Sequence, residues 1–239
     1  MNILLTNDDG FDSYGIRLLK EKLVKYGRVV IVAPDSPMSA QSVSLTIGHL
    51  LHLKEMEKDI FSCDGTPADC VSMGLSLLNI EFDLVVSGCN NGLNISYDTM
   101  YSGTIGAGQQ ALMFDKPAIA FSSPWNDFNV VEERFDEVFE YIVRHKLYSK
   151  DYLLNVNFPA HEFKGIALGT LYYRDDYQYM EKQEEGGYLP YRKLETNFEQ
   201  YPDSDCYQVE HGIVSIVPLN KSYFDYSIYE QLKKKMKEK

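Results

Sequence analysis

Residues 2–15 read NILLTNDDGFDSYG, and the reading of this stretch decides the fold. Asn2 to Thr6 is a short aliphatic run without polar alternation, which suits a strand buried on both faces of a parallel sheet. It stops at two adjacent carboxylates, Asp8 and Asp9, followed by Gly10. Residues 15–26 then switch to helical period, placing Ile16, Leu18, Leu19, Leu23 and Val24 mainly on one side. RVVIVAP (residues 28–34) is a second unalternating run, so the opening predicts strand, helix, parallel strand.

The same alternation continues outward. FDLVVSG (82–88) and PAIAFS (117–122) are further buried strands. Residues 67–78 form a helix with Thr66 as cap and Pro67 in its first position. Residues 127–145 are helix-like and YLLNVNFP (152–159) is another strand. From 172 to 207 the text turns rich in Tyr, Glu, Gln and Asp, with turns at EEGG and YPDSD, which predicts exposed β-hairpins. An arm that long buries little surface alone, so it is expected to pack on another subunit. HGIVSIVPL (211–219) returns to core strand, and residues 223–237 close as a helix. No internal repeat or low-complexity linker breaks the chain. The expectation is one α/β domain with a mostly parallel, doubly wound sheet: a core over about 1–171 and 206–219, a hairpin arm over 172–205 and a C-terminal helix over 220–239.

Composition removes several functions. Thirty-five acidic against 23 basic residues give a formal charge of −12, which disfavours a partner such as a nucleic-acid polymer that needs a basic surface. The basic KKKMKEK tail reads as a solvated helix face. No apolar run is long enough to span a bilayer and the start lacks a signal peptide, so no membrane partner is expected. The four cysteines (63, 70, 89, 206) lack paired spacing, which fits a reducing cytoplasm. The five histidines fall in no metal-ligand spacing, and Trp125 and the many tyrosines read as packing and arm contacts, with base stacking as the lesser alternative.

In a doubly wound sheet, ligands collect outside the carboxyl ends of the strands. Asp8 and Asp9 fall at that edge. Neighbouring strand residues point to opposite faces, so the two carboxylates converge only if the backbone has left the strand, which Gly10 permits. Two close carboxylates share a proton or bind a cation. A hard cation such as Mg²⁺ or Mn²⁺ takes oxygen ligands, and Ser36, Ser39, Asn90, Asn91 and Asn94 supply them from other strand ends. YSGTIGAG (101–108) opens a helix whose N-terminus suits an anion such as phosphate. A metal plus a helix N-terminus can hold phosphate on an acidic protein. One of Asp8 and Asp9 would accept a proton while the other anchors the cation, and Ser39 is no nucleophile, since no histidine pairs with it. Two other classes compete: a phosphorelay receiver, which is half this length, and a non-catalytic nucleotide- or phosphate-binding module, for which G-x-G-x-x-G and G-x-x-x-x-G-K-[ST] are absent.

ILLTNDDG, APDSPMSA, GTPADC, VVSGCNNGLN, YSGT and SDCYQVEHGIVSIVPL, in this order, resemble the SurE (survival protein E) family. The resemblance is strong over about residues 1–122 and recurs over about 150–219. It implies a Rossmann-like three-layer core and a metal-dependent 5′/3′-nucleotidase, a phosphomonoesterase of the acid-phosphatase type, with short polyphosphate as a further candidate substrate. It also implies one divalent metal per subunit, Mg or Mn, and a homodimer or homotetramer built through the C-terminal arm. Carried over by position, its metal ligands are Asp8, Asp9, Ser39 and Asn90, with Asp8 and Asp9 catalytic. Asn94, Ser102, Gly103 and Thr104 fall around the phosphate. The sequence departs from the family pattern in three places: DSYG replaces HAPG, SPMSA replaces RNRSG, and Gln110 stands for the usual glutamate.

Overall fold

The computed structural model describes residues 1–172, 177–193, 198–222 and 225–236. Its elements run β1 (Asn2–Thr6), α1 (Tyr14–Leu23), β2 (Arg28–Pro34), β3 (Leu53–Glu57), β4 (Ile60–Cys63), α2 (Pro67–Leu77), β5 (Leu84–Asn91), α3 (Asp98–Tyr101), α4 (Gly103–Met113), β6 (Ala118–Ser123), α5 (Asn129–Arg144), β7 (Tyr152–Asn157), β8 (Gly165–Leu168), β9 (Tyr177–Lys182), β10 (Tyr188–Lys193), α6 (Asp205–Glu210), β11 (Ile213–Asn220) and α7 (Tyr226–Lys235). Nine strands form one sheet in the order β3-β4-β2-β1-β5-β6-β7-β11-β8, and β9 and β10 form a separate antiparallel hairpin. Within the nine, only β3 against β4 and β11 against β7 are antiparallel.

The unalternating strands are explained by helices on both faces. Ile3 and Leu5 of β1 join Ile31, Val86 and Ile119 against α1 and α5. Leu4, between them, joins Val30, Val32 and Val85 on the opposite face, against α2 and α4. Successive residues thus enter different cores, and both must be apolar. Phe121, Phe135 and Phe139 anchor the first core, with Phe121 edge-on to Phe135 at 5.1 Å between ring centroids. The α2 cap is as expected. Thr66 accepts from the Asp69 N–H and the Asp69 carboxylate accepts from the Thr66 N–H at 3.0 Å, closing a capping box.

Some elements differ from the expectation. β3 and β4 form a hairpin that the sequence reading passed over. β3 is an edge strand whose side chains are almost all exposed, so it carries no apolar period, and Asp59 turns the chain with φ 60°. β8 is likewise a poorly covered edge strand, and the YPDSD turn leads into the one-and-a-half-turn α6 capped by Ser204. β5 runs on past Gly88 to Asn91, with a register shift against β6 between Ser87 and Asn90. Parts of the expected arm (173–176, 194–197) and of the C-terminal helix (223, 224, 237) lie outside the described residues.

Candidate functional site

The strand order reverses between β1 and β5, because β2 and β4 lie on one side of β1 while β6 and β7 lie on the other. The loops leaving β1 and β5 part there and open a crevice. A cavity of about 630 Å³ occupies it, lined by Asp8, Asp9, Ser39, Asn90, Asn94 and Ser102 together with Asp98, Tyr101 and Trp125. Six of the eight residues carried over from the family resemblance therefore share one cavity wall, and Asn91 lies on it too. Gly103 and Thr104 lie behind it, packed on Asp8. Another cavity, of about 600 Å³, lies between α4 and β11, but no titratable side chain lines it.

The local chain explains how adjacent carboxylates reach one cavity. The Asn7 Nδ2 donates to the Gly10 carbonyl at 3.0 Å and to Ser13 Oγ at 2.8 Å, and its Oδ1 accepts from the Gly10 N–H at 3.2 Å. This side-chain turn takes the backbone out of the strand straight after Thr6. Gly10 supplies the φ of 105° that it needs. The Ser39 loop is held to the same edge, since the Met38 N–H donates to the Asp8 carbonyl at 2.7 Å.

Asp8 is buried, and its Oδ1 accepts a short hydrogen bond from the Thr104 hydroxyl. A Cβ added at Gly103 would stand 2.8 Å from the Asp8 Cβ, so α4 packs against this carboxylate with no room for a side chain. Burial pushes the Asp8 pKa up to about 6; the Thr104 hydroxyl opposes this, and the Asp9 charge adds to it. Burial also raises Asp9, against the pull of the Asn91 N–H that its Oδ2 accepts at 3.1 Å.

The other oxygens arrive on fixed supports. The Asn90 Nδ2 is committed to the Gly92 carbonyl at 2.7 Å, which leaves its Oδ1 as the available polar atom. Asn94 is buried: its Nδ2 donates to Ser122 Oγ at 2.9 Å, its N–H to Asn157 Oδ1 at 2.8 Å, and its carbonyl accepts from Asn155 and Asn157. Ser102 Oγ caps α4 by accepting from the Ile105 N–H. The loop after Asn91 is tied from far along the chain by Asp205, fully buried, which accepts from the N–H groups of Ser96 (2.7 Å), Cys206 (2.8 Å) and Tyr172 (3.1 Å). Asp205→Ala strips two buried N–H groups and one half-buried one of this acceptor and is expected to cost about 3 kcal/mol, read as a lower urea midpoint at unchanged m-value.

Among the described residues no Lys, Arg or His lines the cavity, while three carboxylates do. A divalent cation fits this donor set: two adjacent carboxylates, both raised by burial, with neutral oxygens from Ser39 and Asn90 beside them. Among the described residues no three His, Cys, Asp or Glu side chains gather as a closed cage, so a cation here would rely on such neutral oxygens and on water. The sequence reading did not name Asp98 or Tyr101 as site residues, though Asp98 sits between the SGCNNGLN and YSGT blocks and Tyr101 opens the second. It read Trp125 first as packing and only second as a surface for base stacking. Trp125 is instead 74% exposed on the cavity rim, because it sits on a loop rather than on a helix or strand face.

The comparisons with known proteins agree along the chain. The family model of survival protein SurE matches residues 3–178. The 5′-nucleotidase SurE of Geobacter metallireducens is 38% identical over 243 residues, covering 98% of this chain and 96% of its own. That of Clostridium botulinum strain Alaska E43 is 34% identical over 249 residues, covering 97% of each. The crystal structure of the SurE protein from Aquifex aeolicus superposes with a TM-score of 0.86 at 33% identity, covering 99% of this chain and all of that one. With the fold, the motif order and these likenesses in agreement, the chain belongs to the SurE family.

Proposed function

We infer that the chain is a divalent-metal-dependent phosphomonoesterase that hydrolyses nucleoside monophosphates, 5′ or 3′, to nucleoside and phosphate. The observation that supports this most directly is the cavity itself: among the described residues three carboxylates and no cationic side chain line it, at the strand ends, in a chain related to 5′-nucleotidases. A phosphate dianion would be repelled from this wall unless a cation neutralised it. Asp8, Asp9, Ser39 and Asn90 would hold that cation, one per subunit, Mg²⁺ or Mn²⁺. When bound, it supplies charge neutralisation at the phosphoryl oxygens and acidifies coordinated water.

The remaining roles fall to the chain. Asp8, gripped by Thr104 and walled by Gly103, is the anchor. Asp9 is less buried, and in its described contacts only Oδ2 is engaged, so Oδ1 is placed to take the proton of the attacking water. That water forms a bond to phosphorus as the bond to the ester oxygen breaks, and the proton returns to the leaving nucleoside oxygen. Asn94 and the N-terminus of α4 around Ser102, Gly103 and Thr104 orient the phosphate.

The chain works as one α/β unit with appendages at 172–205 and 220–239. Exposed apolar side chains on both favour their use in a homodimer or homotetramer: Met180, Tyr188 and Leu189 on the hairpin, and Tyr226, Ile228 and Leu232 on α7. The four free, buried cysteines suit a reducing cytoplasm. Among the described residues no helix is long and apolar enough to cross a membrane.

The test is phosphate release from a panel of nucleoside 5′- and 3′-monophosphates and short polyphosphate, with and without EDTA. EDTA is expected to lower turnover about 10³-fold, and added Mg²⁺ or Mn²⁺ to restore it. Turnover that persists in EDTA, or binding without turnover, overturns the reading.

A further inference from the structure

We propose that Trp125 is the stacking wall for the base of the substrate, so that the site selects phosphomonoesters carrying a planar heteroaromatic ring; this rests on the phosphomonoesterase reading of the same cavity. Trp125 is the only tryptophan of the chain. It is 74% exposed, and among the described residues it has no aromatic or cation–π partner. Packing does not account for it, and it lines the cavity that holds Asp8 and Asp9.

The ring sits on a rigid mount. The Asn126 N–H donates to Asn91 Oδ1 at 2.6 Å, and the Asn91 Nδ2 donates back to Asn126 Oδ1 at 3.1 Å. The Asp127 N–H closes the turn on the Pro124 carbonyl at 3.1 Å, with Asn126 at φ 56° in its middle. The Trp125 loop is thereby tied to the end of β5, one residue from Asn90. On its inner side the ring lies alongside Gly92, where an added Cβ would just touch Cε3 at 3.8 Å, so no side chain separates the indole from the site backbone. An aromatic face held in place before binding loses little freedom when a base stacks on it. Every base has such a face, so the wall favours nucleotides as a class over plain sugar phosphates.

The lone indole is its own reporter. Excited at a wavelength that spares tyrosine, the Mg²⁺-loaded protein should lose emission within the mixing time when adenosine monophosphate is added, and not when ribose 5-phosphate is added. In steady state, Trp125→Ala should lower the ratio of kcat/KM for adenosine monophosphate to that for ribose 5-phosphate about tenfold, with Trp125→Phe recovering most of it. Unquenched emission, or a ratio that does not move in the alanine variant, overturns the stacking wall while leaving the hydrolase reading standing. A wild-type protein that releases phosphate from neither compound overturns the hydrolase reading, and quenching by the nucleotide alone would still support the wall.

Discussion

Asp8→Asn lowers kcat/KM for a nucleoside monophosphate about 10³-fold and, in the same protein, raises the stability of the metal-free state at neutral pH. The first effect follows from removing one of two adjacent charges proposed to hold the cation and balance charge at phosphorus. Asparagine keeps the shape and can still accept from Thr104, so the loss is electrostatic. The second effect follows from burial. In the folded protein the Asp8 carboxyl has a pKa of about 6, against 3.8 without the fold. Between those values the folded state holds a proton that the unfolded chain has released. Stability contributed by this group is therefore present at about pH 4, declines as the pH rises towards 6, and stays lost above it. The neutral amide removes the penalty, worth about 3 kcal/mol at pH 7. Urea melts in EDTA should show wild type and variant close together at pH 4 and the variant more stable at pH 7. A variant that keeps more than a tenth of wild-type turnover, or one less stable at pH 7, contradicts the role given to Asp8.

The second large effect concerns a residue without a side chain. Gly88 has φ 126°, and a Cβ built on it would stand 2.2 Å from the carbonyl oxygen of Phe121 in the neighbouring strand. Two penalties combine in Gly88→Ala: a backbone angle that L-residues rarely adopt, about 1–3 kcal/mol, and a collision with main chain that cannot rotate away, about 1–3 kcal/mol. The expected loss is about 4 kcal/mol, or a melting temperature lower by about 10 °C for a chain of this size. The damage should also reach the site, since the register shift between Ser87 and Asn90 begins here and aims Asn90 and Asn91. Differential scanning calorimetry measures the first effect and residual phosphate release the second; a melting temperature within about 3 °C of wild type would contradict the geometry.

Much of this was legible in the sequence because it depends on neighbours along the chain. β1, β2, β6 and β7 announce themselves as unalternating apolar runs, and their two cores explain why. The Thr66 cap needs only Asp69, three residues on. Asp8 and Asp9 stand out because like charges at the end of a buried run demand a reason. What escaped depends on distance or on exposure. Thr104 meets Asp8 across 96 positions, and Asp205 holds Ser96 across 109. No local pattern encodes either pairing. β3 and β8 lie on the sheet edges, where solvent removes the apolar period. Trp125 was ranked as packing first for the opposite reason: aromatic residues are usually read as core, and the fold shows this one facing an open crevice.

The sheet also carries an order of events in time. β8 has β11 as its sole neighbour, and β11 also covers the side of β7 that faces away from β6. While the chain is being made, Leu168 waits for Ile213 before its strand can pair. At about 5–20 residues per second that pause lasts several seconds. Through it, a ribosome-bound nascent chain presents the bare flank of β7, a row of open amides and carbonyls beside apolar side chains. A holdase chaperone should find its binding window on this protein there, and lose it when Asn220 has emerged.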